Sequence, residues 1–551
     1  MASSPSIHRD ILRIKHFHAT SSQIVSREVR RYGELHEQQA ILLHGHPYKR
    51  LQGLCPVCGR KCPGYDHKSK EESKWRAPSL NGLPVFICYR PQRVRCPEHG
   101  ILTERIPWAD GDSRFTEDFN NEVAWMVGQM PRSAIASYLD INWRTVGNCV
   151  RAAHARLEPD TGTRLRGLRR ICVDETSRRK GHSYITVVYD MDRNRVVWVH
   201  KDHGRSVFEK FCQQLTREER SQIEVVAGDG AKWIDSCVEE YFPNAKRCMD
   251  SFHVTQWAME ALDGVRRDTA RKAFREYRQR SIAFRKEAAD AERKAREDAL
   301  ESLRAEIRQA EQELLARFPR RGRPSKEKRE HMDSLAAARR RLKELEAACK
   351  APAEVAETDL PPKQQAALQE LDAMARAVRG AKHALGHNPE NRTKNQDGCI
   401  KLIANSYPDL YHAHQLKEGL RLVLHLKDPE LAAIKLDEWL SEARGSGLAP
   451  MESLAEKIAS HRESILNAVA CQANSSKSEA TNTTIKALIK MARGFRNLSN
   501  MIALIYLKCS DLVVPLRNRI QRTAEQAAAM REKANAHRRA REEARRSRKA
   551  A

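Results

Sequence analysis

The stretch RICVDETSRRKGHSYITVVYDMDRNRVVWV, residues 170–199, decides the fold that we predict for this chain. It holds three short runs rich in β-branched and aromatic residues, 170–174, 183–189 and 196–199, which polar residues separate. Such runs are typical of β-strands. A helical stretch and a fourth apolar run, which ends at a Gly-Asp-Gly tripeptide, follow at about 206–216 and at 223–227.

Three successive strands, a helix and a further strand are how a ribonuclease-H-like sheet begins, although other α/β folds start in the same way. Asp174 ends the first run and Asp229 follows the fourth. In a ribonuclease-H-like sheet these strands are neighbours, so the two carboxylates would lie side by side. Mg²⁺ prefers carboxylate oxygens, and two such ions can activate an attacking oxygen and stabilise a leaving one. An aspartate at a strand end is common, so the pair alone does not establish a metal site.

A third carboxylate would have to come from a helix that packs back onto this sheet, and the segment that starts at Ser475 offers one. At 100° per residue, one face of the predicted helix is polar and the other is apolar. The polar face holds Glu479, Asn482, Thr483, Lys486 and Lys490, and the apolar face holds Ile485, Leu488, Ile489 and Ala492. Glu479 beside Lys486 and Lys490 suits a metal ligand next to a phosphate backbone. An ordinary amphipathic surface helix has the same pattern.

Residues 255–470 have a helical pattern almost throughout. Two stretches with heptad a/d spacing predict a coiled-coil hairpin at about 268–350. The turn between them contains the core Gly-Arg-Pro, with Arg321 before the glycine and Arg323 within the core. AT-hook segments with this core lay arginines into A·T-rich minor grooves. Arg321 and Arg323 are therefore candidate DNA contacts, and a plain basic turn is the alternative.

The charge of the chain favours a polyanionic partner. Its 551 residues include 98 Lys and Arg against 72 Asp and Glu, a formal net charge of +26. Cationic side chains release counterions when they neutralise phosphates. A solvated charged surface gives the same sum, and ribosomal or membrane-surface proteins can be equally basic. The first residues lack the apolar core of a signal peptide, and no run of 18 apolar residues occurs, so we expect a cytoplasmic protein without a membrane partner.

A cluster of cysteines predicts a structural zinc site. Cys55-Pro-Val-Cys58-Gly and Cys96-Pro-Glu-His99-Gly form two knuckles, and four nitrogen or sulfur ligands satisfy tetrahedral zinc. Cys62, His67 and Cys88 are spare candidates. The other nine of the 14 cysteines lie singly, which favours reduced thiols over disulfides. Chance clustering of buried cysteines is the alternative to one Zn²⁺ in a closed site, which would hold a loop-rich module together and do no chemistry.

Residues 131–146 have the spacing of a helix-turn-helix, with the small Ala136 where the helices approach and Asp140-Ile141-Asn142 as the turn. The second helix, from Trp143 to about Arg156, would be the recognition helix. An ordinary helical hairpin is the alternative. The candidate DNA contacts are Asn142, Arg144, Thr145, Asn148 and Arg151.

Several segments match blocks of a known family. Glu479 with Asn482, Ile485 and Lys486, followed by Gly494-Phe495-Arg496-Asn497, resembles the closing signature of the ISL3 family of bacterial insertion-sequence transposases, which are of the DDE type. Three further segments resemble other family blocks, and the likeness covers roughly residues 50–515. These segments are Phe242-Pro-Asn-Ala245 leading to Met249-Asp-Ser-Phe-His-Val254, His387-Asn-Pro-Glu-Asn391, and Leu416-Lys-Glu418.

The chain departs from the family in two places. Ala-Thr-Asn-Thr follows Glu479 where the family usually has Gly-x-Asn-Asn, which puts flanking contacts in doubt and leaves the carboxylate in place. The hairpin at about 268–350 looks like extra length inside the family's helical insertion.

The resemblance implies a catalytic sheet interrupted by a long helical insertion before the helix with the final glutamate. It implies Asp174, Asp229 and Glu479 as catalytic acids that hold two Mg²⁺ or Mn²⁺ ions. Asp250 and His253 resemble an Asp-x-x-His element of related transposases and are expected to shape the site. Asp250 is the substitute if Asp229 is not the second ligand.

We therefore predict an α+β multidomain protein with a ribonuclease-H-like catalytic core interrupted by an all-helical insertion, behind zinc-ribbon-like and helix-turn-helix modules. The expected substrate is double-stranded DNA, both terminal inverted repeats and target, bound by a homodimer or larger assembly in the bacterial nucleoid. A catalytically inactive DNA-binding regulator and a structural nucleoid protein are the alternatives. The predicted segments are a helical lead-in at 1–45, a zinc module at 46–110, a helix-turn-helix domain at 111–165, the first part of the core at 166–254, the insertion at 255–470, the closing catalytic helix at 471–520 and a basic tail at 521–551.

Overall fold

The computed structural model describes most of the chain and divides it into two compact units. One unit comprises Met1–Val254, Leu426–Ala433 and His461–Ala551, and the second comprises Thr255–His425 and Ile434–Ser460. No helix in the described part is both long and apolar enough to cross a membrane. The described residues are 14–31, 34–67, 69–179, 183–318, 325–351, 355–473 and 476–516, with isolated positions between 526 and 540.

A four-stranded sheet opens the first unit, so the predicted helical lead-in is wrong where the structure describes it. Phe17 and Leu43 pack with Trp75, Val85 and Ile87 in one apolar cluster, and this burial draws the mostly polar lead-in into a β-hairpin. The sheet has the order β1-β2-β5-β4, with β1 at Phe17–Arg31, β2 at Glu34–Pro47, β4 at Ser73–Leu80 and β5 at Leu83–Tyr89.

A small antiparallel sheet and three helices follow. The sheet pairs β3, β6 and β7 in that order, and the cysteine knuckles flank it. Thr116 caps the first helix by accepting from the N–H of Phe119, and Asp140 adopts a left-handed φ of 59° between the second and third helices. The elements are β3 at Gly64–His67, β6 at Gln92–Cys96, β7 at Gly100–Thr103, α1 at Glu117–Val127, α2 at Arg132–Leu139 and α3 at Trp143–Leu157.

A five-stranded mixed sheet forms the centre of the first unit. Its order is β10-β9-β8-β11-β12, in which β9 is antiparallel to β8 and β10, while β8, β11 and β12 run parallel. One face packs on α4 and α6 through Phe208, Phe211 and Ile234. The elements are β8 at Arg170–Arg179, β9 at Ser183–Asp190, β10 at Arg195–Lys201, β11 at Val225–Gly228, β12 at Lys246–Met249, α4 at Arg205–Gln214, α5 at Arg217–Ser221 and α6 at Lys232–Tyr241.

The opposite face of this sheet is covered by three helices from the C-terminal part of the chain. They are α15 at Arg462–Ala470, α16 at Ser476–Met491 and α17 at Leu498–Cys509. We placed residues 461–470 in the helical insertion, but α15 packs on β12, and Asn467 Nδ2 donates to the carbonyl of Arg247 at 3.2 Å. The boundary was wrong because a helical pattern does not tell which surface the helix covers.

All the regular secondary structure in the described residues of the second unit is helical. Its two longest helices pair antiparallel: Arg304 lies 2.7 Å from Glu346, and Arg339 lies 2.5 Å from Glu311. The first of them begins at Ser251 rather than near 268 and is 67 residues long. The bounds are α7 at Ser251–Arg317, α8 at Lys326–Lys350, α9 at Pro362–Gly380, α10 at Lys382–Gly386, α11 at Lys394–Ser406, α12 at Pro408–Val423, α13 at Pro429–Arg444 and α14 at Ala449–Ser460.

Candidate active site

Three aspartates lie where the parallel strands stop pairing. The last β8–β11 pair is Cys172 with Ala227, and the last β11–β12 pair is Gly228 with Met249. Asp229 and Asp250 directly follow their strands. Asp174 lies two residues past its last parallel pair but not at the end of its strand, because β8 continues to Arg179 along β9. The carboxyl ends of parallel strands share one edge, so the three side chains meet there.

The pKa of Asp174 reflects the charges of the acidic residues around it. Burial raises the pKa of Asp174 to about 6, and the charges of Asp250 and Asp229 add to this rise. The charge of His253 and the N–H of Glu175, which donates to Asp174 Oδ1 at 2.7 Å, act in the opposite direction. The charges of Asp229 and Asp250 therefore disfavour ionisation of Asp174, and a bound cation would relieve that repulsion. Carboxylate oxygens are hard donors, so a group of neighbouring aspartates fits Mg²⁺ or Mn²⁺.

Asp250 and Asp229 differ in their exposure and in the contacts that their carboxylate oxygens make within the protein. Asp250 is 5 % exposed, accepts from the N–H of Phe252 at 2.8 Å, and lies 3.2 Å from Nδ1 of His253. That contact, with the charges of Asp174 and Asp229, raises the pKa of His253. Asp229 is half-buried and accepts from the N–H of Ala231 at 3.1 Å. Asp229 is thus the more accessible of the two candidate ligands.

The helix α16 is tied to the strand edge by Asn482. Its Nδ2 donates to Asp174 Oδ2, and its Oδ1 accepts from Thr176 Oγ1 at 3.3 Å. Glu479 lies one turn earlier on α16 and is half-buried. In the described residues these acids do not form a cluster with three ligand atoms within 4.8 Å. Two ions about 3.5–4 Å apart divide their ligands, so such a cluster is not required.

Sequence reasoning missed two residues of this edge. Asn482 was assigned to the polar face of its helix, yet it is 3 % exposed because its amide is drawn to Asp174 and Thr176. Glu175 was not considered, although it directly follows Asp174. Its Oε1 accepts from the N–H of Gly204 at 2.8 Å, and burial, with the charge of Asp229, raises its pKa. The acidic dipeptide was the available signal.

The raised pKa of Asp174 predicts a stability change that depends on pH. A carboxyl that binds its proton more tightly in the folded state destabilises the fold above the ordinary aspartate range, and the effect is absent below about pH 4. We expect Asp174→Asn to raise the free energy of unfolding by about 3 kcal/mol at pH 8, without added magnesium. Thermal unfolding at pH 8 and pH 4 checks this, and an equal difference at both values would contradict it.

The four predicted zinc ligands form one cluster, with all ligand atoms within 4.8 Å of one another. Cys58 Sγ lies 3.7 Å from Cys96 Sγ, and His99 Nδ1 lies 3.5 Å from Cys96 Sγ and 3.8 Å from Cys55 Sγ. Tetrahedral zinc separates two sulfurs by about 3.8 Å and a sulfur from a nitrogen by about 3.6 Å. The geometry therefore fits a structural Zn²⁺.

Cys96 has the acidity of a zinc ligand. Burial acts to raise the pKa of this thiol, but hydrogen bonds from the backbone N–H groups of Glu98 and His99 and from the side chains of Cys55 and Cys58 together lower the pKa to about 7. Metal-binding cysteines must lose their proton, so these amides favour the ligating form.

The spare candidates lie outside this cluster. Cys62 Sγ donates to the carbonyl of Arg60 at 3.4 Å, and His67 Nδ1 lies 3.4 Å from the carbonyl of Pro91. Cys88 belongs to a second group with His44 and Glu72. In that group the histidine Nδ1 and the carboxylate are 2.7 Å apart, whereas two such ligands on one zinc are about 3.4 Å apart. We assign the contact as a hydrogen bond.

The recognition helix α3 presents a polar face to solvent. Asn142, Arg144, Asn148 and Arg151 are exposed and Thr145 is half-buried, as a DNA-reading face requires. Three of these side chains already have hydrogen-bond partners within the protein. Asn142 Oδ1 caps α3 by accepting from the N–H of Arg144 at 2.9 Å, and Arg151 Nη2 donates to Asn148 Oδ1 at 2.8 Å.

The other predicted DNA contacts are divided between described and undescribed residues. Lys486 and Lys490 are exposed on α16. Arg321 and Arg323 lie outside the described residues, so the predicted minor-groove contact stays a prediction.

The recognition helix shares a hydrophobic core with the strands that carry the acids, through α17. A Cβ at Gly147 would lie 2.1 Å from Nδ2 of Asn500, so this close approach requires glycine. Tyr506 of α17 accepts from the N–H of Val199 in β10 at 3.0 Å and stacks on His154 of α3, with ring centroids 5.3 Å apart. The DNA-reading helix is thus fixed relative to the acids.

The Gly-Phe-Arg-Asn segment adds a second link. Gly494 has a φ of 90°, which favours glycine, and its carbonyl accepts from Arg132 of α2 at 3.3 Å. The guanidinium of Arg132 lies 4.7 Å from the ring centre of Phe495, whose carbonyl accepts from Arg179 of β8 at 3.2 Å. This segment joins the helix-turn-helix to the central sheet.

Comparison with known families matches three segments of the chain. A family model described as the transposase of the ISL3 type matches residues 171–350 and 353–505. The helix-turn-helix domain of transposase family ISL3 matches residues 104–154, and the zinc finger of the transposases of IS204, IS1001, IS1096 and IS1165 matches residues 52–99. The chain belongs to the ISL3 family of transposases.

Two relatives support the assignment. The ISL3 protein is 32 % identical over 470 residues to the transposase for insertion sequence element IS1557 of Mycobacterium tuberculosis, covering 85 % of this chain and 88 % of that protein. It is 27 % identical over 227 residues to the transposase for IS1001 of Bordetella parapertussis, covering 39 % of this chain and 53 % of the relative. The ISL3 transposase is therefore a DNA transposase of the DDE type with a helix-turn-helix and a zinc ribbon.

Proposed function

We propose that this ISL3 transposase binds the terminal inverted repeats of an insertion sequence and catalyses metal-dependent cleavage and transfer of DNA strands. The observation that carries the proposal is the meeting of Asp174, Asp229 and Asp250 at one sheet edge, with α16 bound to it through Asn482. The strand order β10-β9-β8-β11-β12, antiparallel first and parallel after, supports a ribonuclease-H-like core. The helical second unit corresponds to an insertion between β12 and α15.

Asp174, Asp229 and Glu479 would hold two Mg²⁺ or Mn²⁺ ions. Bound there, such ions supply activation of the attacking water or 3′-hydroxyl and charge stabilisation at the leaving oxygen. The protein orients its ligands: the Asn482 amide holds one oxygen of Asp174, and the Glu175 N–H holds the other. Asp250 fixes His253 beside this edge, and the raised pKa of His253 favours its charged form, which would attract the DNA phosphates.

DNA binding is assigned to α3, with the exposed Lys486 and Lys490 placing a phosphate backbone beside Glu479. Synapsis of two ends requires two DNA-binding units, so the proposal includes a homodimer or larger assembly on DNA, and we infer a place in the bacterial nucleoid. Zinc would hold the N-terminal module folded and take no part in the chemistry.

The test of end recognition uses Arg144→Ala with Arg151→Ala. Base-reading arginines are worth about 1–3 kcal/mol each, so affinity for the terminal repeat should fall about 30-fold or more, with little change for unrelated duplex. Electrophoretic mobility shifts measure both affinities. The matched control removes two exposed arginines elsewhere in the same unit, Arg166→Ala with Arg217→Ala.

Equal losses of affinity for the repeat and for unrelated DNA would show that α3 does not recognise the sequence of the repeat. Specific binding by the unaltered chain without any strand cleavage in Mg²⁺ or Mn²⁺ would instead indicate the alternative function, a catalytically inactive regulator.

A further inference from the structure

The second unit contains a groove whose chemistry is not used by the site described above. The groove measures about 830 Å³, and six of its eight lining residues are arginines. Ala270 and Phe274 are the other two, so no carboxylate lines it. The arginines are Arg266, Arg267, Arg271, Arg275, Arg278 and Arg379.

Four of these arginines form one stripe along α7. At 100° per residue, Arg267, Arg271, Arg275 and Arg278 fall within about 80° of one another on the helix. They span about 16 Å of helix axis, the length over which one strand of duplex DNA presents about five phosphates. Each of the four is exposed.

The six arginines are not equally available to bind a ligand, because some already have partners within the protein. Arg266 is 8 % exposed and donates to the carbonyl of Arg379 at 2.6 Å, so it serves to join α7 to α9. Arg267 and Arg271 pair with acids of their own helix, at 3.4 Å from Asp263 and 2.5 Å from Asp268.

Arg275 and Arg278 differ from Arg267 and Arg271 in their acidic neighbours. Among the residues that the structure describes, no carboxylate lies within ion-pair distance of either side chain. Two uncompensated cations in a groove that no acid lines are a site for an anion, and their spacing along the helix suits a polyanion with regular charges.

We infer that this groove binds the phosphate backbone of target DNA. The groove offers an apolar floor and a row of arginines that follows the helix axis over the length of about five phosphates, so the contact is assigned to the DNA backbone, which carries no sequence information. Target DNA differs at each insertion and must be held in this way, whereas terminal repeats are read by α3. The inference rests on the proposed function.

The test compares three double variants of the full chain. Arg275→Ala with Arg278→Ala removes the two free cations. Arg275→Lys with Arg278→Lys keeps their charge. Lys286→Ala with Lys294→Ala is the matched control, because both lysines are exposed on the same helix and outside the groove. Circular dichroism verifies that each variant is folded.

For the alanine pair, we expect affinity for an unrelated duplex to fall at least about tenfold, and strand transfer into a target plasmid to fall similarly. The slope of log affinity against log salt should become shallower by about 1.8. Binding and cleavage of terminal-repeat DNA should stay within about twofold of the unaltered protein. The lysine pair should retain most of the affinity.

Three results would overturn the inference: losses no larger than those of the control pair, an unchanged salt slope, or equal loss of terminal-repeat binding. If the unaltered chain neither binds nor cleaves repeats, the proposed function fails instead. The salt slope on unrelated duplex still reports on the groove in that case.

Discussion

Asp174→Asn, Asp229→Asn and Glu479→Gln should each reduce strand cleavage at the terminal repeat by at least about 1,000-fold. Each change keeps the shape of the side chain and removes one negative charge from the metal ligands, so transition-state stabilisation of about 4 kcal/mol or more is lost. Binding of the repeat should change little, because α3 is not altered. Single-turnover cleavage of an end-labelled duplex measures the first effect, and mobility shifts measure the second.

The control for general loss of charge is Asp192→Asn, since Asp192 is partly exposed and 3.9 Å from Arg170 in the same unit. It should cleave normally. Asp250→Asn separates the two assignments of the second ligand: if it abolishes cleavage while Asp229→Asn does not, Asp250 takes that place and the accessibility argument is wrong.

Cys55→Ser or Cys96→Ser should unfold the zinc module and abolish specific binding of the repeat. Zinc binding to small modules contributes about 10–16 kcal/mol of folding free energy, which the apolar cluster of Val94 and Leu102 beside the knuckles cannot replace. Metal analysis should find one zinc per chain in the unaltered protein and none in either variant.

Cys62→Ser provides the matched control, because Cys62 is buried beside the same knuckles but lies outside the cluster of ligands. It should keep its zinc and its DNA affinity. A protein that lacks zinc as purified, and whose folding is insensitive to chelators, would contradict the assignment.

The sequence allowed prediction of those parts of the site that depend on local spacing. The knuckles at Cys55 and Cys96 and the helices around Asp140 have fixed short-range patterns, and the structure places their residues as spacing requires. Asp229 became a candidate because it directly follows an apolar run, and Asp250 because of a family motif rather than its own chemistry; both stay predictions as metal ligands.

What escaped prediction depends on contacts between residues far apart in the chain. Asn482 is buried because Asp174, 308 residues earlier, accepts its hydrogen bond. The hairpin of β1 and β2 forms because Leu43 and Phe17 meet Trp75, while their own segments are mostly polar. Residues 461–470 have the same helical pattern as the insertion before them, and only their packing on β12 assigns them to the first unit.

The central claim, that Asp174 is a metal ligand in strand cleavage, is tested most directly by Asp174→Cys. A thiolate binds Mg²⁺ poorly and softer divalent ions better, so a direct ligand changes the metal requirement of the reaction. We predict that this variant is inactive in Mg²⁺ and recovers cleavage in Mn²⁺, while the unaltered transposase is active in both and Asp174→Asn is active in neither. Cleavage by Asp174→Cys in Mg²⁺ at the rate of the unaltered protein would contradict the claim.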